Sequence, residues 1–163
     1  MLETKFYTWS LKYLELRPHS SQEIKTYLQQ KFRRNIKWHS AWVGLKPDEA
    51  IESTLSKLQE LKLVDDTAFA KSWVESRGST RSKRRLQQEL AKKGIKFDAS
   101  KTIVESGAVP EEASLAALAL KIGHRYAKLA PKIGRQRLTS FLLRRGYEYE
   151  AVRRVVDEVL GRP

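Results

Sequence analysis

With 163 residues, the chain is long enough for one ordinary domain or two to three small ones around a buried core. Its 32 lysines and arginines against 19 acidic residues give a formal charge of +13, which fits a polyanionic partner: nucleic acid, an acidic protein face or an anionic membrane surface. The absence of cysteine excludes disulfides and thiol chemistry, no apolar stretch approaches a membrane span, and Met1-Leu2-Glu3-Thr4-Lys5 lacks the layout of a secretion signal, so a soluble cytoplasmic protein without membrane association is expected.

Hydrophobic spacing predicts helices throughout. Phe6, Trp9, Tyr13, Leu14 and Leu16 share a helical face over residues 6–16, and Pro18 ends it. Ser20 or Ser21 caps a second helix, with Glu23 three residues after Ser20 as in a capping box, and Ile24, Tyr27, Leu28 and Phe32 lie on its buried stripe. Residues 33–47 break the period and read as an irregular connection that Trp38 and Trp42 pin to the body. Pro47 opens a third helix with Ile51, Leu55, Leu58 and Leu61 facing inward. Two aspartates follow. Asp66 is expected to cap the next helix, Asp65 to add charge against its positive end, and Phe69, Ala70, Trp73 and Val74 to form its buried stripe.

From Asp66 the same three steps return: a helix over 67–75, a Gly78-Ser79-Thr80 break, a helix over 81–93 stopped by Gly94, and a short helix with Ile103 and Val104 closed by Gly107. Pro110-Glu111-Glu112 starts them a third time, with helices over 113–127 and 135–145, a break at 130–134, a stop at Gly146, and a last helix carrying Val152, Val155, Val156 and Val159. Leu86, Leu90, Lys93 and Gly94 match Leu138, Leu142, Arg145 and Gly146 at a shift of 52, while Ile24, Leu28, Lys31 and Phe32 match the first four at a shift of 62. The expected fold is all-α: three tandem three-helix repeats over 1–64, 65–108 and 109–163, about nine helices, elongated and modular.

Net charge does not distinguish the repeats, at +4, +4 and +5 for residues 1–63, 64–107 and 108–163. Placement does. Arg81, Arg85, Gln88 and Lys92 fall opposite Leu86 and Leu90, and Arg137, Ser140 and Arg144 are the equivalents of the last three. In the first repeat those positions are Glu23, Thr26 and Gln30. Arg81, Arg85, Lys92, Arg137 and Arg144 are therefore the candidate contacts to a polyanion, with Lys83 and Arg84 assigned to other sides of their helix. Asp65, Asp66, Phe69 and Trp73 are the candidate structural seam. His19, His39 and His124 have no metal-ligand spacing and are expected as surface or cap residues. No nucleophile, phosphate-loop or dinucleotide motif is present, so no catalytic, cofactor or metal site is expected.

The run Leu63-Val64-Asp65-Asp66-Thr67-Ala68-Phe69-Ala70 with Trp73-Val74 and Arg77 resembles the signature of the RecX family of recombinase regulators. Leu86 through Ile95, Phe141 through Tyr147, and Leu14 through Arg17 with Ser20, Glu23, Ile24 and Leu28 are similar to the family's other motifs, in order and over nearly the whole chain. Where members often carry Gly-Pro before the second-repeat helix, this chain has Ser79-Thr80-Arg81-Ser82-Lys83. A monomer is the default expectation, and the resemblance implies a non-enzymatic tandem repeat that binds the RecA–single-stranded DNA filament along its groove, meeting the single-stranded DNA directly or through RecA. There it restrains recombinase, ATPase and coprotease activity in DNA repair, recombination and the SOS response. The alternative is a free-standing nucleic-acid-binding protein built of helix-turn-helix-like units.

Overall fold

Capping residues and glycines cut this chain into short amphipathic helices that cannot bury their apolar faces alone. In the computed structural model, which describes residues 2–38 and 40–161 apart from the side chains of Trp38 and Ser40, they are α1 (Leu2–Leu14), α2 (Ser21–Asn35), α3 (Asp48–Glu60), α4 (Asp66–Arg77), α5 (Lys83–Lys92), α6 (Phe97–Gly107), α7 (Glu111–Ala127), α8 (Pro131–Arg144) and α9 (Tyr149–Leu160). Two 3₁₀ turns, Ile36–Trp38 and Ser40–Trp42, follow α2. No strand occurs among the described residues, and the chain is an all-α repeat protein.

The helices gather into two compact units. Unit 1 runs as far as Phe69 and includes Lys93–Ile95; unit 2 takes in Ala70–Lys92 and the chain from Lys96 onward. In unit 1, α1, α2 and α3 close over Phe6, Ile24, Leu28, Ile51 and Leu58, all fully buried. Trp42 is stacked on Phe32 at 5.6 Å and set edge-on to Trp9 at 5.9 Å, so it pins the irregular connection as expected. His39 and the side chain of Trp38 lie outside the described residues. In unit 2, α7, α8 and α9 bury Leu115, Leu138, Leu142, Val152 and Val156, while Leu86, Leu90 and Val104 are buried where α5 and α6 pack.

Several local expectations are corrected. Leu16 is 77% exposed and Leu61 52% exposed, because α1 ends at Leu14 and α3 at Glu60, and past a helix end the 3.6-residue period no longer aims a side chain inward. The Ala130–Gly134 break is mostly helix: α8 begins at Pro131, an N1 position where proline needs no amide partner. Gly134 serves the close approach to α7, since a Cβ there would sit 2.3 Å from the Tyr126 carbonyl oxygen. Asp66 is not the cap of α4. That role falls to Asp65, whose carboxylate accepts the amides of Thr67 at 2.8 Å and Ala68 at 2.9 Å. His19 is buried rather than superficial, stacked on Tyr13 at 3.7 Å and 3.3 Å from a Glu23 oxygen; His124 is exposed as expected.

The residues matched at shifts of 62 and 52 meet in the same way twice. Within unit 1, the Ser20 hydroxyl caps α2 and also lies 2.7 Å from the Lys93 carbonyl, and the amide of Ser21 donates to the Asp66 carboxylate at 2.8 Å. Within unit 2, the amide of Ser82 donates to the Arg145 carbonyl at 3.2 Å, and the amide of Lys83 donates to the Glu111 carboxylate at 3.0 Å. In both joints the first turn of a repeat's second helix receives a carboxylate from further along the chain, which satisfies an amide that the helix itself leaves orphaned.

Candidate polyanion interface

The second helix of each later repeat positions the candidate cations, and capping decides where each helix begins. The Ser82 hydroxyl accepts the Arg85 amide at 3.1 Å, so α5 starts at Lys83 and Arg81 lies before the helix rather than on it. Arg81 then turns to Glu89. The same oxygen of Glu89 takes Nε of Arg85 at 3.2 Å, and the other takes the Trp73 indole N–H at 3.2 Å. Glu89 is largely shielded, with 12% of its side chain exposed, and Arg77 lies over the Trp73 ring with its guanidinium carbon 3.6 Å from the centroid. Arg81 and Arg85 are thus brought together, but around a shared carboxylate that offsets part of their charge.

The free face of α5 is instead Arg84, Gln88 and Lys92, all exposed. Arg84 is 72% exposed, and its only ion pair among the described residues is a 3.5 Å contact with the equally exposed Glu148, worth little in water. On the helical wheel Arg84 lies nearer than Arg85 to the pole opposite Leu86 and Leu90, so Arg84, assigned above to another side, belongs to the exposed stripe.

In α8 the expected stripe forms. Arg137, Ser140 and Arg144 lie along one exposed side of the helix and, with Tyr126, Ile133 and Gln136, line an open groove of about 600 Å³. Arg137 and Arg144 stand two turns apart, about 10 Å along the axis. Neither makes an ion pair with a described carboxylate, and the same holds for Lys92. Arg145 is turned aside over the Phe141 ring at 4.8 Å. Arg153 and Arg154 of α9, which no stripe singled out, add exposed cations beside α8 because a short helix packed on one side leaves both neighbours in solvent.

The seam residues divide by role. Asp65, Asp66 and Phe69 fold with unit 1, where Phe69 is 7% exposed; Trp73 folds with unit 2 and holds Glu89. Among the described residues no group of acidic or histidine side chains is arranged to hold a metal ion, and no helix is long and apolar enough to cross a membrane. The arrangement is suited to holding an anionic backbone.

Comparison with known proteins identifies the family and the fold. Residues 65–99 match the family description "RecX, second three-helix domain", and residues 110–156 match "RecX, third three-helix domain". The "Regulatory protein RecX" of Prosthecochloris aestuarii is 30% identical over 156 residues, covering 93% of this chain and 91% of that protein. That of Chlorobium phaeobacteroides is 29% identical over 160 residues, covering 96% and 95%. The crystal structure of RecX from Lactobacillus salivarius superposes with a TM-score of 0.66 at 20% identity, over 97% of this chain and 96% of that one, and shares the fold. By sequence over nearly its full length, the chain belongs to the RecX family of regulatory proteins.

Proposed function

We propose that this chain is a cytoplasmic, monomeric, non-enzymatic regulator of a RecA recombinase. It binds the RecA–single-stranded DNA filament along its groove and restrains strand exchange, ATP hydrolysis and coprotease activity in DNA repair and the SOS response. Three repeats, over 1–64, 65–108 and 109–163, follow the groove. Lys92 and Arg84 of α5 and Arg137 and Arg144 of α8 meet anionic surface there, while Arg81 and Arg85 contribute through their shared hold on Glu89. The observation that carries this reading is the α8 groove, where two guanidinium groups with no carboxylate partner among the described residues flank Ser140.

The test measures RecA ATPase and strand exchange at sub-stoichiometric amounts of the protein, alongside titration onto bare single- and double-stranded DNA across salt. Charge reversal at Arg85, Lys92, Arg137 and Arg144 together is expected to abolish inhibition while helical circular dichroism is retained. Full inhibition by a folded quadruple variant sinks the assignment of these residues. Unchanged RecA activity beside tight, steeply salt-dependent DNA binding replaces the regulator with a free-standing nucleic-acid-binding protein.

A further inference from the structure

A second basic cleft lies between α8 and α9, apart from the Arg137–Arg144 groove. It encloses about 640 Å³ and is lined by Arg135, Thr139, Tyr149, Glu150, Arg153 and Arg154, among others. Its wall is built: Arg135 pairs with Asp157 and donates to the Gly161 carbonyl, which holds the end of α9 against α8. That pairing uses up both Arg135 and Asp157. Arg153 and Arg154 remain, exposed and without an ion pair among the described residues, beside Tyr149, which is 55% exposed. Tyr149 and Arg153 are one helical turn apart on α9, about 5–6 Å between Cβ atoms, the scale that separates a base from its own phosphate.

We infer that this cleft binds single-stranded nucleic acid directly, with an unpaired base stacked on Tyr149 and the adjoining phosphates held by Arg153 and Arg154. A solvent-exposed ring beside two exposed guanidinium groups suits a strand whose bases are unpaired, because every base offers a π face and every linkage a negative charge. Thr139 can donate to a phosphate or sugar oxygen, and Glu150 can accept from an exocyclic amine. An acidic peptide fits less well, since it would leave the Tyr149 ring face uncovered. A duplex would satisfy the arginines and leave the tyrosine without a base. The inference rests on the polyanion-binding reading above, but its test omits RecA, so either can fail alone.

The test measures anisotropy of a labelled oligothymidylate of about 20 nucleotides, and of a duplex of the same length, from about 50 to 200 mM salt. Tyr149→Ala is expected to weaken single-strand binding about ten-fold with the salt slope unchanged and duplex binding untouched, and Tyr149→Phe to restore it. Arg153→Gln with Arg154→Gln should flatten the single-strand slope by about 1.4, at roughly 0.7 per phosphate contact. Photocrosslinking with a 5-iodouracil strand, which needs no variant, should label Tyr149. The inference is overturned if Tyr149→Ala binds the strand as wild type does, if crosslinks fall only elsewhere, or if polyglutamate displaces the strand from the wild type but not from the double arginine variant.

Discussion

The two joints share their backbone geometry and differ in their charges. In unit 1, Glu23 sits at the joint with one oxygen 2.8 Å from Arg17 and 2.5 Å from Lys93, and the other 3.3 Å from both the Ser20 amide and His19. The residue at the equivalent position in unit 2 is Arg85, facing a joint whose other side carries Arg145 in place of Lys93. Two cations cannot pair, and Arg85 turns along its own helix to Glu89 instead. What the joints have in common is a hydroxyl residue at the helix start, a carboxylate reaching back from the next repeat, and a glycine in the left-handed region, Gly94 at φ 81° and Gly146 at φ 96°. The difference teaches that geometry holds the repeat together, while charge at the joint is free to be spent on stability in one place and on a basic surface in the other.

The shared glycine gives the most severe way to break both joints. A Cβ on Gly94 would lie 2.5 Å from the Gln22 Cβ, and one on Gly146 would lie 2.5 Å from the Ser82 hydroxyl and 2.7 Å from the Arg85 Cβ. Left-handed backbone costs an L residue about 1–2 kcal/mol, and overpacking adds about 1–3 kcal/mol. Gly94→Ala and Gly146→Ala are each expected to destabilise by about 2–5 kcal/mol in urea unfolding. A substantial loss at one position and none at the other would show that the joints do not rest on the same geometry.

Removing the charge cluster should separate the joints. Burial pushes the Glu23 carboxyl up, but Arg17, Lys93 and the Ser20 amide outweigh it and bring its pKa from 4.5 to about 2. A drop of that size corresponds to about 3 kcal/mol of linkage. Because the folded value is the lower one, this stability is present above about pH 4.5 and is lost as pH falls toward 2. His19 has its pKa lowered, chiefly by burial and then by Arg17, with Glu23 opposing. Its neutral form is favoured in the fold, so its contribution is complete above its ordinary value of 6.5 and declines as pH falls below that. Glu23→Gln is expected to cost about 2–3 kcal/mol at pH 7 and to flatten the acid limb of the stability profile below pH 4.5. A variant that keeps the wild-type acid limb would place that linkage on other carboxylates.

Much of this was legible in the sequence, because it was written in periodic apolar residues and punctuation. Leu28, Leu90 and Leu142 announced the repeat, Gly94 and Gly146 stopped its helices, and Ser20 with Glu23 forms the capping box that their spacing suggested. The candidate surface was half legible. Arg137 and Arg144 share a groove as their spacing implied, but Arg81 and Arg85 are drawn to Glu89, and Arg84 and Arg153 were passed over. Helical spacing gives the direction in which a Cβ leaves the backbone; it does not say which carboxylate a long flexible side chain will find. Asp66 escapes the local cap rule for a related reason. Its partner, the Ser21 amide, is 45 residues away, and no local cap rule reaches that far.

The smallest expected effect tests whether those reaching carboxylates are equivalent. Asp66→Ala leaves the Ser21 amide without its 2.8 Å acceptor, and Glu111→Ala does the same to Lys83 at 3.0 Å. Each deletes one cap bond and one favourable charge at a helix N-terminus, about 1 kcal/mol in either case. Asp65→Ala is the local comparison, since Asp65 caps its own helix through Thr67 and Ala68 and should also cost about 1 kcal/mol. The distinction appears in amide exchange. Asp65→Ala should speed exchange at Thr67 and Ala68 in the first turn of α4, whereas Asp66→Ala should speed it at Ser21 in α2. If Asp66→Ala leaves Ser21 protected and deprotects only α4, its carboxylate serves its own helix and the repeated joint loses one of its three shared supports.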